Sequence, residues 1–167
     1  MKKWLLAAVI TLTAPQALAG GYASIGYAFS NIEPEDTTAD ADVDALQFSY
    51  GSWLNPEGTF GGEFRAALGM SDDKINGTEV EIDRYFGAYL RGQFPDTLPV
   101  RPYGLLGFSR VETTVGNNGE DHNDLSLGIG ADMDVANNVF VSLEFMRLVD
   151  RSDAEVSNLT LSVGGRF

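Results

Sequence analysis

The feature that most constrains this chain is an alternation of apolar and other residues at every second position, repeated along almost its whole length. Successive side chains of a β-strand point to opposite faces, so a period of two indicates strands rather than helices. Eight such segments follow one another, and residues typical of turns and loops separate them. They span about residues 21–31, 43–54, 59–70, 80–94, 101–113, 123–134, 138–149 and 158–167. The sequence therefore predicts an all-β chain of eight strands in a single domain.

The composition of the two faces indicates where the apolar face must lie. In the sixth segment, Leu125, Leu127 and Ile129 alternate with Ser126 and Gly128. A face of Gly, Ser and charged residues would make a poor soluble core, and the segments are about twice as long as an average soluble strand. Tilted strands of about ten residues span a bilayer, and only a closed barrel leaves no unpaired strand edge in lipid. We therefore expect an eight-stranded antiparallel up-and-down transmembrane β-barrel with its apolar face toward lipid.

One segment does not show which of its faces is apolar. In the fifth segment, the stretch YGLLGFSR places apolar residues at both odd and even positions. Its orientation stays open at this point.

The connections between the segments alternate in length. Longer acidic links, at about residues 33–44, 71–79, 114–122 and 150–157, take turns with tighter ones at 55–58, 95–100 and 135–138. In an up-and-down barrel the longer links share one end, and the tighter links share the other end with both termini. We also expect the last segment, NLTLSVGGRF, to pair with the first and close the barrel.

The first nineteen residues have the pattern of a secretory signal peptide. Lys2 and Lys3 precede an apolar run, and a small-x-small ending follows at residues 17–19. The run is interrupted by polar residues and is too short to be a membrane-spanning anchor, the other interpretation. We expect cleavage after Ala19, which leaves residues 20–167 as the barrel domain.

The net charge of the chain argues against nucleic acid as a partner. The formal net charge is −13, and it becomes −15 without Lys2 and Lys3. So acidic a protein would repel the phosphates of nucleic acid.

Three stretches resemble a known family. RPYGLLGFSR (101–110), LSLGIGADMDVANNVFVSLEFMRL (125–148) and LTLSVGGRF (159–167) are similar to the OmpA/OmpX-like outer-membrane β-barrel proteins of Gram-negative bacteria, in the small form without a periplasmic domain. The resemblance covers the whole mature chain. It implies a monomer in the outer membrane, in contact with outer-membrane lipids and lipopolysaccharide, with a structural or surface-interaction role such as envelope integrity or adhesion.

The same resemblance implies an assembly signal at the C-terminus. Proteins of this family commonly end in an apolar alternation with a final Phe, which the barrel-assembly machinery reads. The matching residues here are Leu159, Leu161, Val163 and Phe167. Gly165 departs from the pattern, because an aromatic residue is commoner at that position.

The charged residues expected inside the barrel are the first candidate site. An eight-stranded barrel is just wide enough for side chains to fill it, so such charges are forced together. They could form a gated pore whose acid–base pairs exchange partners, or a fixed network that fills the lumen; we favour the fixed network because little room is left for a water column. The residues assigned to this lumen network are Glu63, Arg65, Arg91, Arg110, Asp132 and Glu144.

Catalytic and metal sites find little support in the sequence. His122 is the only histidine, which excludes a multi-histidine metal site. Outer-membrane lipid A deacylases use a His-Ser-Glu set in which Ser lies two residues after His. Here Asp124 lies two residues after His122, and Ser126 lies four residues after it. The acidic links could bind calcium, or lipopolysaccharide phosphates through divalent cations, but they lack EF-hand spacing, and a solvated acidic surface is the simpler interpretation. We predict no catalytic residue, metal or cofactor.

Three other functions stay open beside the structural one. The chain could be a small porin for ions or solutes, a lipid-modifying enzyme, or a secreted soluble barrel that binds a small ligand.

One charged residue is expected on the outer wall. Arg147 lies on the lipid-facing side of an otherwise apolar strand, from where its side chain could extend to lipid headgroups or a lipopolysaccharide phosphate.

Overall fold

A computed structural model describes residues 20–34, 41–70, 72–75, 78–95, 99–115, 118–151 and 154–167. The predicted signal peptide, residues 1–19, lies outside these ranges. The described residues include no helix that is long and apolar enough to cross a membrane. Nine strands occupy the described ranges: β1 Gly21–Pro34, β2 Ala41–Trp53, β3 Phe60–Gly69, β4 Asp72–Ile75, β5 Thr78–Gln93, β6 Val100–Val115, β7 Asn118–Ala136, β8 Val139–Arg151 and β9 Ala154–Arg166.

The strands form one closed antiparallel barrel. Apart from β3 and β4, strands that follow one another in the chain pair with each other, and β1 pairs with β9, so the first and last strands close the wall. β3 and β4 both pair with β5 and together occupy one position in the wall, which makes eight positions in all. The prediction of an eight-stranded up-and-down barrel is confirmed.

The pairing register determines how strongly the strands tilt. If each residue is followed to its paired residue on the next strand, a path that starts at Tyr27 and crosses β2, β3 and β5 ends at Glu112 on β6. Followed the other way, through β9, β8 and β7, it reaches Pro102 on the same strand. The two paths differ by ten residues, a stagger that inclines the strands by about 35–45° to the barrel axis. Strands of this length then cross a bilayer at a slant.

The first described residue, Gly20, and the last, Phe167, lie at the barrel end that carries the short turns. Gly21 and Phe167 exchange backbone hydrogen bonds of 2.8 and 2.9 Å, and the Trp53 amide donates to the Gly20 carbonyl at 3.1 Å. This arrangement agrees with the alternation of tight and long links in the sequence. At the other end, strands replace much of what we predicted as loops, since β6 continues to Val115 and β7 starts at Asn118. Backbone pairing between neighbouring strands outweighs the low β-propensity of these acidic segments.

The barrel is inverted relative to a soluble protein. Phe108 and Ile129 are 70% and 69% exposed on the outer wall, whereas Ser126 and Glu63 are 0% and 1% exposed inside. Residues that alternate along each strand therefore separate into an apolar wall and a polar interior. The interior is the place where charged groups meet.

Candidate functional site: the barrel interior

A carboxylate in the middle of the lumen accepts hydrogen bonds from its own strand, β3, and from two other strands, β1 and β5. Glu63 accepts from the Tyr22 hydroxyl and from Arg65 Nε, and its Oε2 lies 3.5 Å from Arg91 Nη1. Arg65 also binds Glu144 in a two-pronged contact, with Nη2 at 2.7 Å from Oε2. A guanidinium forks onto a carboxylate in this way because the two groups are planar and matched in spacing. Five buried side chains are thus fixed against one another.

A second group of charges continues the network toward the barrel end with the short turns. Arg91 Nη2 and Arg166 Nη2 both donate to Asp132 Oδ2, at 2.7 and 2.9 Å. Arg101 and Arg166 both donate to Asp134, with Arg101 Nη1 at 2.8 Å from Oδ2. The two groups share Arg91. Together they hold four arginines, Arg65, Arg91, Arg101 and Arg166, and four carboxylates, Glu63, Asp132, Asp134 and Glu144. The network is therefore neutral in formal charge.

Aromatic rings surround the arginines. The guanidinium carbon of Arg91 lies 3.7 Å from the Tyr103 ring centre and 4.8 Å from that of Tyr22. Arg65 lies 5.0 Å from the ring centre of Tyr89. Such cation–π contacts strengthen as water is excluded. The rings therefore stabilise the cations and also occupy the volume that water would need.

Very little open space remains around the network. The cavity among Glu63, Arg65, Arg91, Tyr103 and Glu144 measures about 10 Å³, which is room for about one water molecule. A water-filled path through a barrel needs a continuous column of such space. The described side chains at this level fill the lumen.

Toward the long hairpins, apolar side chains make up much of the interior, with buried polar residues such as Ser30, Ser126 and Asn158 among them. Tyr85 and Leu148 are fully buried there, and with their neighbours they form one cluster contributed by seven strands. The cluster comprises Ala28, Val43, Ala45, Ala67, Tyr85, Tyr89, Tyr103, Leu105, Val111, Met146, Leu148 and Val156. Apolar constrictions hinder ions because they exclude water. The lumen thus has an ionic layer nearer the short turns and, nearer the long hairpins, a layer of mainly apolar side chains that is called the apolar layer below.

Five of the six residues predicted for the lumen network lie in it: Glu63, Arg65, Arg91, Asp132 and Glu144. The sixth, Arg110, does not. On β6 the inward positions are the odd-numbered ones, such as Arg101 and Ser109, so Arg110 faces outward with half of its side chain exposed. The prediction for Arg110 was wrong because β6 carries apolar residues on both faces, and the register with β5 and β7 fixes its orientation.

Several network members were absent from the predicted set. Arg101 belongs to the segment whose orientation the sequence leaves open, and its inward parity follows from its pairing with Asp132. Three other members lie on the polar face of their strands: Tyr22, Asp134 and Arg166. The alternation was therefore sufficient to predict that their side chains face inward. The sequence gives no signal, however, for the specific pairings among them.

The residues considered for catalysis do not assemble into a nucleophile–base set in the part of the chain described. The Ser126 hydroxyl donates to the Leu148 carbonyl and contacts Ser109 Oγ, both at 2.8 Å. Glu144 is bound to Arg65. The His122 backbone pairs with Val111, and its side chain lies outside the described side chains. Ser126 is therefore placed as a hydrogen-bonding residue of the interior.

The C-terminal residue lies on the outer wall at the seam between β1 and β9. The Phe167 ring stacks on Tyr50, with ring centres 6.1 Å apart. The other residues predicted for the assembly signal, Leu159, Leu161 and Val163, also face outward. Recognition of these residues by an assembly machinery stays a prediction.

Replacement of Phe167 by Ala is expected to reduce the amount of folded barrel in outer membranes several-fold. The variant loses the stacking contact with Tyr50, worth about 0.5–1.5 kcal/mol, together with the final aromatic of the predicted signal. The measurement compares unboiled and boiled membrane samples on a gel, where folded barrels migrate faster. Met133→Ala, which trims another exposed outward residue, is the control; equal folded fractions for both variants would contradict the prediction.

The family of the chain follows from a comparison with protein-family models. A model described as "Outer membrane protein beta-barrel domain" matches residues 4–167. The chain belongs to this family. A search of curated proteins finds no significant match to this outer-membrane barrel protein.

Solved structures of other outer-membrane barrels share the fold. Ail, the attachment invasion locus protein of Yersinia pestis, solved in complex with the heparin analogue sucrose octasulfate, is 20% identical with a TM-score of 0.66; the match covers 89% of this chain and 99% of Ail. Neisserial surface protein A is 17% identical with a TM-score of 0.60, over 88% of this chain and 97% of that one. The N-terminal barrel domain of Pseudomonas aeruginosa OprF is 14% identical with a TM-score of 0.62, over 88% and 99%. At these identities, the likeness of this outer-membrane barrel protein to them is one of fold.

Proposed function

We propose that this outer-membrane barrel has a structural or surface-interaction role, in which its outer wall contacts outer-membrane lipids and lipopolysaccharide and its long hairpins face the cell exterior. The observation that carries the proposal is the filled, charge-balanced interior, with about 10 Å³ of open space beside Arg65. A barrel that passed solutes would need an open lumen. An interior of fixed ion pairs and apolar side chains instead makes the wall rigid.

The surface role rests on the long hairpins, which extend beyond the apolar part of the outer wall. Strand pairs such as β6 and β7 remain in register up to Val115 and Asn118, well past Phe108 and Leu125, the outermost exposed apolar residues among the described side chains of these two strands. Such hairpins are suited to contacts at the cell surface. A polyanion like the ligand of Ail is an unsuitable partner for the chain as a whole, because its formal net charge is −13.

The route to the membrane is part of the same proposal. Residues 1–19 direct export and are removed, the barrel-assembly machinery reads the C-terminal alternation that ends in Phe167, and the barrel inserts as a monomer. Lipid-modifying catalysis is outside the proposal, since Ser126 and Glu144 are engaged in the interior.

We expect no discrete single-channel steps when the purified barrel is inserted into planar bilayers. The ion pairs around Glu63 and the apolar layer above them block a water column through the lumen. Insertion is verified in parallel by the gel shift of the folded barrel. Regular conductance steps from inserted wild-type protein would favour the small-porin alternative, and an altered lipid A mass pattern on expression would favour the enzyme.

A further inference from the structure

We infer that a groove on the outer wall, formed by β1, β8 and β9, binds an acyl chain of a phospholipid from the periplasmic leaflet. The inference rests on the proposed function, because it requires the long hairpins to face the cell exterior and the short turns to face the periplasm. It assigns a fixed place on the wall to the contact with lipid. The groove is lined by Ile25, Gly26, Tyr27, Val141, Leu161, Ser162 and Val163.

The groove is a depression of about 290 Å³ beside the seam between β1 and β9. Val163, at its centre, is paired with Ile25 on one side and with Val141 on the other. One step further toward the long hairpins, the paired outward residues are the larger Tyr27 and Leu161. The depression therefore follows from valines that lie beside bulkier outward neighbours.

The end of the groove toward the long hairpins is held in place. The Tyr27 hydroxyl donates to Asp44 Oδ2 at 2.7 Å, and the Tyr27 ring meets the Phe29 ring edge-on, with ring centres 5.0 Å apart. Leu161 lies beside Tyr27 in the β1–β9 register. Because the Tyr27 ring is fixed before a ligand arrives, less ordering of the protein opposes binding.

The other end opens toward the short turns. The next outward pair in this direction is Ala23 and Gly165. Among the described residues, a Cβ atom added at Gly165 would have only the Asn138 carbonyl oxygen within 4 Å, at 3.7 Å. The Phe167 ring does not cover this side, because it stacks on Tyr50 of β2. A ligand therefore reaches the groove from the barrel end with the short turns.

The lining determines the class of ligand. None of the lining residues is charged, and the outer wall faces the hydrocarbon layer. In that layer a chain gains mainly van der Waals contacts, and a chain in a groove touches protein on more sides than a chain on a convex wall. An apolar cavity of about 150 Å³ already binds benzene. A groove of about 290 Å³ is therefore large enough for a segment of an acyl chain.

The direction of entry selects the leaflet. In an outer membrane, lipopolysaccharide occupies the outer leaflet and phospholipids occupy the periplasmic leaflet. From Ala23 to Tyr27 the path along β1 is about 13 Å, which lies within the hydrocarbon depth of one leaflet, about 15 Å. A chain that enters from the short turns and ends at Tyr27 thus belongs to a periplasmic phospholipid.

The first test fills the groove. Full-length barrel is reconstituted into phosphatidylcholine vesicles with a small fraction of phosphatidylcholine spin-labelled on its acyl chain, and electron paramagnetic resonance counts the chains that the barrel slows. Val141→Phe is expected to lose about one slowed chain per barrel, because its ring takes the place of the chain. Ile129→Phe adds the same ring to an exposed outward residue of β7 and is expected to keep the wild-type number. Ile25→Phe fills the groove from β1 and replaces Val141→Phe if that variant lacks the gel shift of a folded barrel.

The second test identifies the leaflet in outer membranes. Benzoylphenylalanine, which is photoreactive, is incorporated in place of Val139, the register partner of Gly165, or in place of Phe108 nearer the long hairpins. After illumination, mass spectrometry identifies the attached lipid. We expect a phospholipid at residue 139 and lipid A at residue 108.

The outcomes separate the groove from the function on which it rests. Equal numbers of slowed chains in the wild type, Val141→Phe and Ile129→Phe would overturn the groove and leave the proposed function standing. Lipid A at both photoreactive positions would contradict the phospholipid assignment alone. Lipid A at residue 139 with phospholipid at residue 108 would mean that the barrel has the opposite orientation, which rejects the proposed function itself. If the wild type is a dimer that Val141→Phe dissociates, a second copy covers the groove and the lipid assignment is wrong.

Discussion

Replacement of Arg65 by Met is expected to lower the free energy of unfolding by about 3–5 kcal/mol. Arg65 joins Glu63 and Glu144 at the middle of the lumen, and both carboxylates are nearly inaccessible to solvent. Without the guanidinium, Glu144 keeps only the hydrogen bonds from neutral groups such as the Tyr103 hydroxyl at 2.7 Å. Glu144 is then a buried carboxylate that has lost its cation, which costs much more than the packing of Arg65 itself.

A second substitution tests whether charge is the cause. In Arg65→Met/Glu144→Met the uncompensated carboxylate is gone, while Glu63 retains Arg91 and Tyr22. Since buried ion pairs are often replaceable by apolar groups of similar volume, the double variant is expected to recover most of the lost stability. Urea unfolding of the barrel in lipid vesicles, followed by tryptophan fluorescence and the gel shift, measures these differences.

The control is Arg147→Met, which removes an outward arginine and is expected to change stability by less than about 0.5 kcal/mol. If the effects of Arg65→Met and Glu144→Met simply add, the two side chains are not coupled. The ion pair would then contribute little to the barrel, and the idea that a fixed network stabilises the wall would fail.

The position of most network residues followed from alternation alone. Glu63 and Arg65 are two apart on β3, and Leu68 and Phe64 take the opposite parity, so the apolar and polar positions of this strand identify its inward face. The pattern is strong because lipid tolerates only apolar side chains on one face of each strand. The same constraint made the number of strands and their order predictable.

Alternation could not reveal which charges meet. Arg91 reaches Asp132 on a strand that is not its neighbour because the barrel is staggered by ten residues, a quantity that the pairing registers determine together. β6 shows the limit most clearly, since Leu105 and Val111 belong to the apolar layer inside the lumen while Phe108 faces lipid. With apolar residues on both faces, its orientation depends on its neighbours, and this is why Arg110 was assigned to the wrong side.

Replacement of Gly107 by Val is expected to prevent formation of the barrel. A Cβ atom at this inward position of β6 would lie against the Ala88 carbonyl oxygen and 2.7 Å from the Tyr89 Cα. Backbone atoms of β5 cannot yield without breaking the β5–β6 pairing. The Tyr89 ring, which lies across the glycine with its hydroxyl at Ser109, supports the Arg65 guanidinium 5.0 Å from its centre. A side chain at residue 107 therefore disturbs the strand pair and the ionic layer together.

Gly104→Val provides the matched control, because a Cβ at this outward position of the same strand has only the Gly128 carbonyl oxygen within 4 Å, at 3.9 Å. Valine favours strands over glycine, so strand propensity alone predicts that both substitutions stabilise the barrel. Close packing inside the lumen predicts opposite results: a normal gel shift for Gly104→Val and none for Gly107→Val after refolding into vesicles. If Gly107→Val folds as well as Gly104→Val, the lumen has room to spare beside Tyr89. A filled interior would then no longer be a reason to regard the barrel as closed to solutes.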